Sequence, residues 1–249
     1  MSVNLTRFFG LDRRLIIIAV AVFGMIGYIY LTPPVSQLSI ITRLGSKTGW
    51  SGDYEMYIQR FALAFLLFGV IPSGAARLCG YRLRALGLRK PECRNLALCL
   101  TAALALGATF GIGGSFAPGV SEFYPYDGAL AEKVKTAGPW PFLLHLLLYG
   151  FLYYLPWEIV FRGVLIFPLL DEKIAKVTPT GRTLFLASIQ VIPSSLLHFG
   201  HPAGETIGAV IFGFFAGWLT VKTRSIIPAL VIHASTGIFL DLTVVLRGG

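Results

Sequence analysis

Long apolar runs alternate with short basic segments along the whole chain. A bilayer core requires roughly 20 apolar residues of helix, with a usable range of about 17–25, so each run predicts a membrane span. Seven runs meet or approach this length: 15–31, 61–76, 95–116, 142–170, 183–198, 206–221 and 225–246. The pattern therefore predicts an all-α, polytopic membrane bundle of about seven transmembrane helices.

The amino-acid composition also indicates a lipid surrounding. Hydrophobic residues make up 55% of the 249 residues and charged residues 13%, and the mean hydropathy is +0.72. A soluble domain normally carries about 25% charged residues, so a soluble fold is excluded. The net charge of +9 would suggest nucleic acid on a soluble chain, but here Lys and Arg lie between apolar runs. We therefore expect a lipid bilayer as partner and no nucleic acid.

The loop charges predict an orientation. With the N-terminus inside, 14 of the 21 Lys and Arg residues lie in cytoplasmic loops and 6 in outer loops. This asymmetry predicts a cytoplasmic N-terminus and an outside C-terminus, and we expect a multi-pass protein of a bacterial inner membrane. No linker or repeat divides the chain, so 1–249 is predicted to be one transmembrane domain. In it, 1–116 supplies three packing helices and 141–246 a core of four.

Ionisable residues inside the spans are few and occur only in the last four. Each costs at least about 2.5–3.5 kcal/mol on insertion scales, so each calls for a partner or a purpose. Glu158 and Arg162 are four residues apart and share one helix face. The candidate site residues are Glu158, Arg162, His198 and His233, whereas His145, Gln190 and Asp241 are interpreted as more peripheral.

The four candidates allow more than one interpretation. Glu158 with Arg162 is also compatible with a structural ion pair, and a lone histidine in a span is often a hydrogen-bonded core residue. A carboxylate, two imidazoles and a guanidinium can together activate water and hold an oxyanion. The same carboxylate and imidazoles could ligate zinc. At the outer surface, His201 is expected to cap a helix and to pair with Glu205.

Three short motifs resemble those of the CPBP family, which comprises CAAX prenyl proteases and bacteriocin-processing enzymes. Residues 157–163, Trp-Glu-Ile-Val-Phe-Arg-Gly, resemble the family's Glu-Glu-x-x-x-Arg motif, commonly followed by Gly. Residues 194–198 match the position of its Phe-x-x-x-His motif, and 233–237 that of its His-x-x-x-Asn motif. The resemblance covers about 141–246 and implies an intramembrane endopeptidase of the glutamic type.

The resemblance also implies roles. Glu158 and His198 would activate a water molecule, His233 would help to hold the oxyanion, and Arg162 would keep Glu158 oriented. The implied substrate is a membrane-anchored or hydrophobic-tailed protein or peptide. We expect no cofactor, with zinc at Glu158, His198 and His233 left open. Given the helical rise, the three groups meet in one wet pocket only if the helices tilt, the fifth starts deeper or a water-filled cavity reaches inward.

Three positions depart from the motifs: Trp157 replaces the first Glu, Ser194 the Phe and Gly237 the Asn. Either Glu158 takes over as base, or the chain is a non-catalytic membrane protein such as a bacteriocin immunity factor or a scaffold. A transporter is a third possibility, but no inverted repeat supports it. Thr236, Ser235 or a backbone N–H could replace the lost Asn donor.

Overall fold

The computed structural model describes residues 12–32, 57–170 and 180–248, and within them it contains helices and no strands. In chain order the helices are α1 (Arg13–Leu31), α2 (Arg60–Leu78), α3 (Leu96–Gly114), α4 (Val120–Phe123), α5 (Leu130–Ala137), α6 (Trp140–Leu169), α7 (Thr180–Ile189), α8 (Val191–Leu196), α9 (Ala203–Thr223) and α10 (Ile227–Leu246).

Six of the described helices are long and apolar enough to cross a bilayer: α1, α2, α3, α6, α9 and α10. Large apolar side chains point outward from them. Phe23, Phe110 and Phe151 are 72%, 52% and 62% exposed. Aromatic rings exposed to this extent on spanning helices suit a lipid surrounding. The prediction of an all-α polytopic bundle is confirmed.

The fifth predicted span, 183–198, differs from the other six. It forms two short helices, α7 and α8, which meet at Gln190. Pro193 lacks a backbone N–H and its ring clashes with the carbonyl of residue 189 in a continuous helix, so the helix breaks there. The Gln190 amide nitrogen donates to the carbonyls of Ala187 (2.8 Å) and Gly213 (2.6 Å). Gln190 is fully buried, so its peripheral placement was wrong.

Contacts at the two ends of the bundle follow the predicted alternation of loops. At one end, Ile226 N–H donates to the Gly87 carbonyl (3.0 Å), which joins the α2–α3 loop to the α9–α10 loop. At the other end, Tyr124, between α4 and α5, donates to Glu205 at the start of α9. The broken segment α7–α8 thus ends beside Tyr124, at the end opposite Gly87. Several charges used for orientation lie outside the described residues: Arg7, Arg43, Lys47, Lys173 and Lys176.

Helix α3 packs closely against α10, and two glycines make this possible. A Cβ on Gly107 would overlap the Ser235 hydroxyl and the Ile232 carbonyl, and one on Gly111 would overlap the Thr236 carbonyl. Small residues four apart allow helix backbones to approach in membranes. The contact fixes α10, which carries His233.

A buried hydrogen bond between two ionisable side chains joins α6 to α10. His145 Nε2 and Asp241 Oδ2 are 2.8 Å apart, and both side chains are 0% exposed. The interpretation of both residues as peripheral was wrong, because they lie in the interior of the bundle. A buried pair of this kind costs several kcal/mol when one partner is removed, so it fixes how α6 and α10 lie against each other.

Candidate active site

Glu158 lies in an irregular part of α6. The segments Tyr149–Tyr154 and Ile159–Val164 have π-helical hydrogen bonding, and one ordinary helical turn, Leu155–Glu158, separates them. Pro156 in this turn has no N–H to donate. Wide π turns inside helices occur frequently at functional sites, since they change which side chains face inward. Here Arg162 lies in the second π segment, and Glu158 ends the ordinary turn directly before it.

Glu158 is the centre of a buried charged cluster. Its Oε1 atom is 2.7 Å from Nδ1 of His233, which donates to it, and 3.1 Å from an Arg162 guanidinium nitrogen. The Glu158 side chain is 0% exposed and that of Arg162 is 2% exposed. Arg162 also lies over the Phe212 ring, at 5.3 Å from its centroid. The structure thus brings three of the four predicted residues together.

His198 occupies a different part of the site, directly after α8. Its Nδ1 is 2.7 Å from the Ser194 carbonyl oxygen. Because a carbonyl only accepts, Nδ1 carries a proton, and in the neutral ring Nε2 has the free lone pair. Nε2 points toward Glu205, whose Oε1 is 3.9 Å away. Thr206 donates to the His198 carbonyl at 3.0 Å and so fixes this turn.

Glu205 is held by two further donors. Its Oε1 accepts from Nδ1 of His201 at 2.8 Å and from the Tyr124 hydroxyl at 2.6 Å. Burial raises the pKa of Tyr124 well above its ordinary value, so this hydroxyl keeps its proton. The predicted pairing of His201 with Glu205 is confirmed. The approach of Glu205 to His198 was missed, although the spacing His-x-x-His-x-x-x-Glu at 198–205 carries a signal for it.

Trp157 separates the two clusters. It stands where the motif has its first Glu, and it is 3% exposed. Its ring lies 5.7 Å from the ring of His198 and 6.3 Å from that of His233, centroid to centroid. The ion-pair contacts of Glu158 within 4.0 Å are with Arg162 and His233 and do not include His198. Glu158 and His198, which were expected to activate one water molecule together, thus make no direct contact within 4.0 Å among the described contacts.

The space of the missing Asn side chain at Gly237 is filled. A Cβ there would overlap the hydroxyl of Tyr154 and lie 2.6 Å from its Cζ. The Tyr154 ring packs at 4.8 Å from the His233 ring. The two expected substitutes face elsewhere: Thr236 donates to the Ile232 carbonyl and Ser235 to the Val231 carbonyl. Tyr154 is a candidate that sequence reasoning missed, because nothing in the motifs points to it.

The same part of the chain offers no evident metal site. Among the described residues, no three His, Cys, Asp or Glu side chains are placed to hold one ion. Glu158 and His233 form one cluster and His198 another, so the set left open for zinc is divided. One oxygen of each carboxylate, Oε2 of Glu158 and Oε2 of Glu205, is buried without a hydrogen-bond partner.

The fold and this site define the class: a polytopic α-helical membrane protein with a carboxylate, a guanidinium and two imidazoles in its last helices. Residues 139–239 match the family model described as Type II CAAX prenyl endopeptidase Rce1-like. This part of the chain is therefore similar to the Rce1-like endopeptidases, and the resemblance to CAAX proteases is confirmed. None of the curated proteins and none of the solved structures matches the chain.

Proposed function

We propose that this protein is an intramembrane endopeptidase of the CAAX-protease type. It hydrolyses a peptide bond in a membrane-anchored or hydrophobic-tailed protein. The contact between Glu158 and His233 supports the proposal most directly, because it joins the first and third motifs of the family at 2.7 Å inside the matched region. Desolvation of a charged cluster is costly in lipid, so its retention in the bundle favours a chemical role.

In this proposal His198 accepts the proton of the attacking water. Its Nδ1 is committed to the Ser194 carbonyl, which leaves Nε2 as the basic atom. Glu158 acts through His233 and not on the water directly, because its side chain is 0% exposed and its Oε1 contacts His233 and Arg162. This role differs from the one that the family resemblance implied, in which Glu158 and His198 share the water.

The tetrahedral oxyanion needs donors that are aimed before the reaction begins. We assign this function to His233, which Glu158 orients, and to the Tyr154 hydroxyl, which lies where the motif's Asn would project. Arg162 provides a counter-charge for the buried carboxylate and fixes its position through the ion pair with Glu158. The chain thereby has a base and two donors without the first Glu or the Asn, although one donor, Tyr154, lies outside the three motifs.

The test uses isolated membranes from cells that produce the full chain, with mass spectrometry of new protein termini. The wild-type chain is compared with His198→Ala and with a matched carboxylate control, Glu132→Gln, which changes an exposed residue of α5. We expect a set of termini that disappears in His198→Ala and persists in Glu132→Gln. Identical termini in all three samples would contradict the proposal.

The same experiment separates the alternative of a non-catalytic immunity or scaffold protein. A Glu158→Gln/His198→Ala double variant removes the carboxylate of one cluster and the imidazole base of the other. Thermal unfolding in detergent shows whether this variant is still folded. A binding protein keeps its protective effect against a bacteriocin in this variant, whereas an endopeptidase loses its effect with its proteolysis. Retained protection together with unchanged termini would therefore favour binding.

A further inference from the structure

We propose that Glu205 is a catalytic carboxylate and that it holds the attacking water together with His198. This inference rests on the proposed endopeptidase function and adds a residue that lies outside the family's three motifs. Glu205 lies in the first turn of α9, whereas the position of the motif's first Glu, now Trp157, lies in α6. A carboxylate is thereby present beside the His198 base, although α6 no longer supplies it.

The distance between the two groups fits one water molecule. His198 Nε2 and Glu205 Oε1 are 3.9 Å apart, which is too long for a direct hydrogen bond. A water oxygen about 2.8 Å from each atom subtends an angle of about 90°, close to that between the two O–H bonds of water. Both atoms accept in this arrangement, so the water donates one hydrogen to each and turns a lone pair outward.

Exposure distinguishes Glu205 from Glu158. The Glu205 side chain is 21% exposed and that of His198 is 14% exposed, whereas Glu158 is 0% exposed. Water and a peptide therefore reach the Glu205–His198 pair more readily than they reach Glu158. Oε1 of each carboxylate has two partners: a guanidinium and an imidazole for Glu158, and a tyrosine hydroxyl and an imidazole for Glu205. Among the described contacts Glu205 is not paired with any Arg or Lys, whereas Glu158 is.

The surroundings of Glu205 suit a reactive carboxylate. Oε1 is positioned by Tyr124 and His201, so the carboxylate plane is fixed before a substrate binds. Oε2 is buried and makes no hydrogen bond to the protein. A buried carboxylate oxygen without a partner is unusual and calls for a functional explanation. A bound water or the substrate amide N–H would satisfy it.

The chemical step balances with water as the only co-reactant. The water oxygen forms a bond to the peptide carbonyl carbon while its proton passes to the His198–Glu205 pair. The tetrahedral intermediate then collapses, and the bond between the carbonyl carbon and nitrogen breaks. The proton held by the pair moves to the leaving nitrogen, which gives one carboxylate product and one amine product.

Chemical rescue distinguishes a catalytic role of Glu205 from a structural one, because an added carboxylate can replace only the catalytic function. Isolated membranes containing full-length Glu205→Ala are incubated with and without sodium formate, and the new termini are quantified by mass spectrometry. We expect Glu205→Ala to slow their formation about 10²–10⁴-fold, as is typical for loss of a general base. Formate then restores a measurable part of the rate, because the Glu205 side chain is 21% exposed and its removal leaves space for a small carboxylate.

Three comparison variants make each outcome decisive. Glu205→Gln removes the charge at nearly constant shape. Glu158→Ala is expected not to respond to formate, because the Glu158 side chain is 0% exposed. His198→Ala tests the proposed endopeptidase function itself. Loss of termini in His198→Ala together with full activity of Glu205→Gln would overturn the role of Glu205 and leave the endopeptidase intact. Loss in Glu205→Ala without rescue, in a protein of unchanged thermal unfolding, also counts against it. Unchanged termini in every variant would overturn the function as well.

Discussion

Glu158 and His233 are 75 residues apart in the chain, yet their Oε1 and Nδ1 atoms lie 2.7 Å from each other. The contact joins α6 to α10 across the interior of the bundle, at a point where Glu158 is completely buried. Each ionisable side chain alone would be costly in the lipid-spanning part of the bundle. Their pairing is the strongest sign that the last helices were selected to hold polar groups together.

Arg162→Ala should abolish proteolysis nearly as completely as Glu158→Ala. Removing one member of a buried pair leaves the other charge uncompensated, at a cost of about 3–5 kcal/mol. Glu158 then loses the cation that keeps it ionised and oriented toward His233. The rate of terminus formation in membranes measures the effect, with Arg162→Lys as a variant that retains part of the charge. Full proteolysis by Arg162→Ala would contradict the role assigned to this residue.

Tyr154→Phe should lower the rate about 10²–10³-fold, as is typical when one oxyanion donor is removed. The substitution deletes only the hydroxyl, and the ring still packs at His233. Tyr153→Phe is the matched control, because this neighbouring tyrosine is also buried. Equal rates for the two variants would assign the donor role to another group.

Gly237→Asn, which restores the family motif, should reduce both stability and activity. The new side chain collides with the Tyr154 hydroxyl, and overpacking of this kind costs about 1–3 kcal/mol. A second substitution, Tyr154→Ala, vacates the space, so we expect the double variant to recover thermal stability in detergent. No recovery in the double variant would mean that the two positions do not compete for the same space.

Gly107→Ala should destabilise the bundle by about 1–3 kcal/mol and lower proteolysis in parallel. Its Cβ overlaps the Ser235 hydroxyl and forces α3 away from α10. Gly113→Ala, on the same helix, meets nothing within 4 Å and serves as the control. Thermal unfolding and terminus formation are measured for both, and equal unfolding temperatures would argue against the close packing.

A chelator should leave proteolysis unchanged, and added zinc should not increase it. The reason is the division of the candidate ligands: Glu158 is bound to His233, while His198 faces Glu205. Purified protein is treated with EDTA, and terminus formation is compared before treatment, after it and with zinc restored. Inhibition that zinc reverses would show that the donors gather around a metal.

The fold was largely predictable from the sequence, because span length depends on a bilayer thickness that is the same for every helix. The break at Gln190 was not predicted, because the hydrophobic run 183–198 indicated a continuous helix and the effect of Pro193 on that helix was not considered. The pairing of Glu158 with Arg162 followed from helical periodicity alone, since four residues separate them. The contacts of each histidine did not, since these depend on the tilt and rotation of separate helices.

The departures from the motifs were visible as residue changes, but their meaning was not. Trp157 could be recognised as a lost carboxylate, whereas its position between two imidazoles emerges only from packing. Gly237 looked like a lost donor, and the structure places a tyrosine hydroxyl from α6 in its stead. Such replacements come from other helices, so spacing within one motif carries no information about them.

The Gly107 and Gly111 pair has a consequence for protein engineering. Helix α10, which carries His233, packs against α3. Helix α3 belongs to the N-terminal half of the chain and lies outside residues 139–239, which match the family model. A fragment limited to 139–239 would expose the groove-facing backbone of α10 to lipid and would be expected to lose its register. A chimera that joins α6–α10 to a different N-terminal half would therefore need two glycines, four residues apart, opposite residues 232–236.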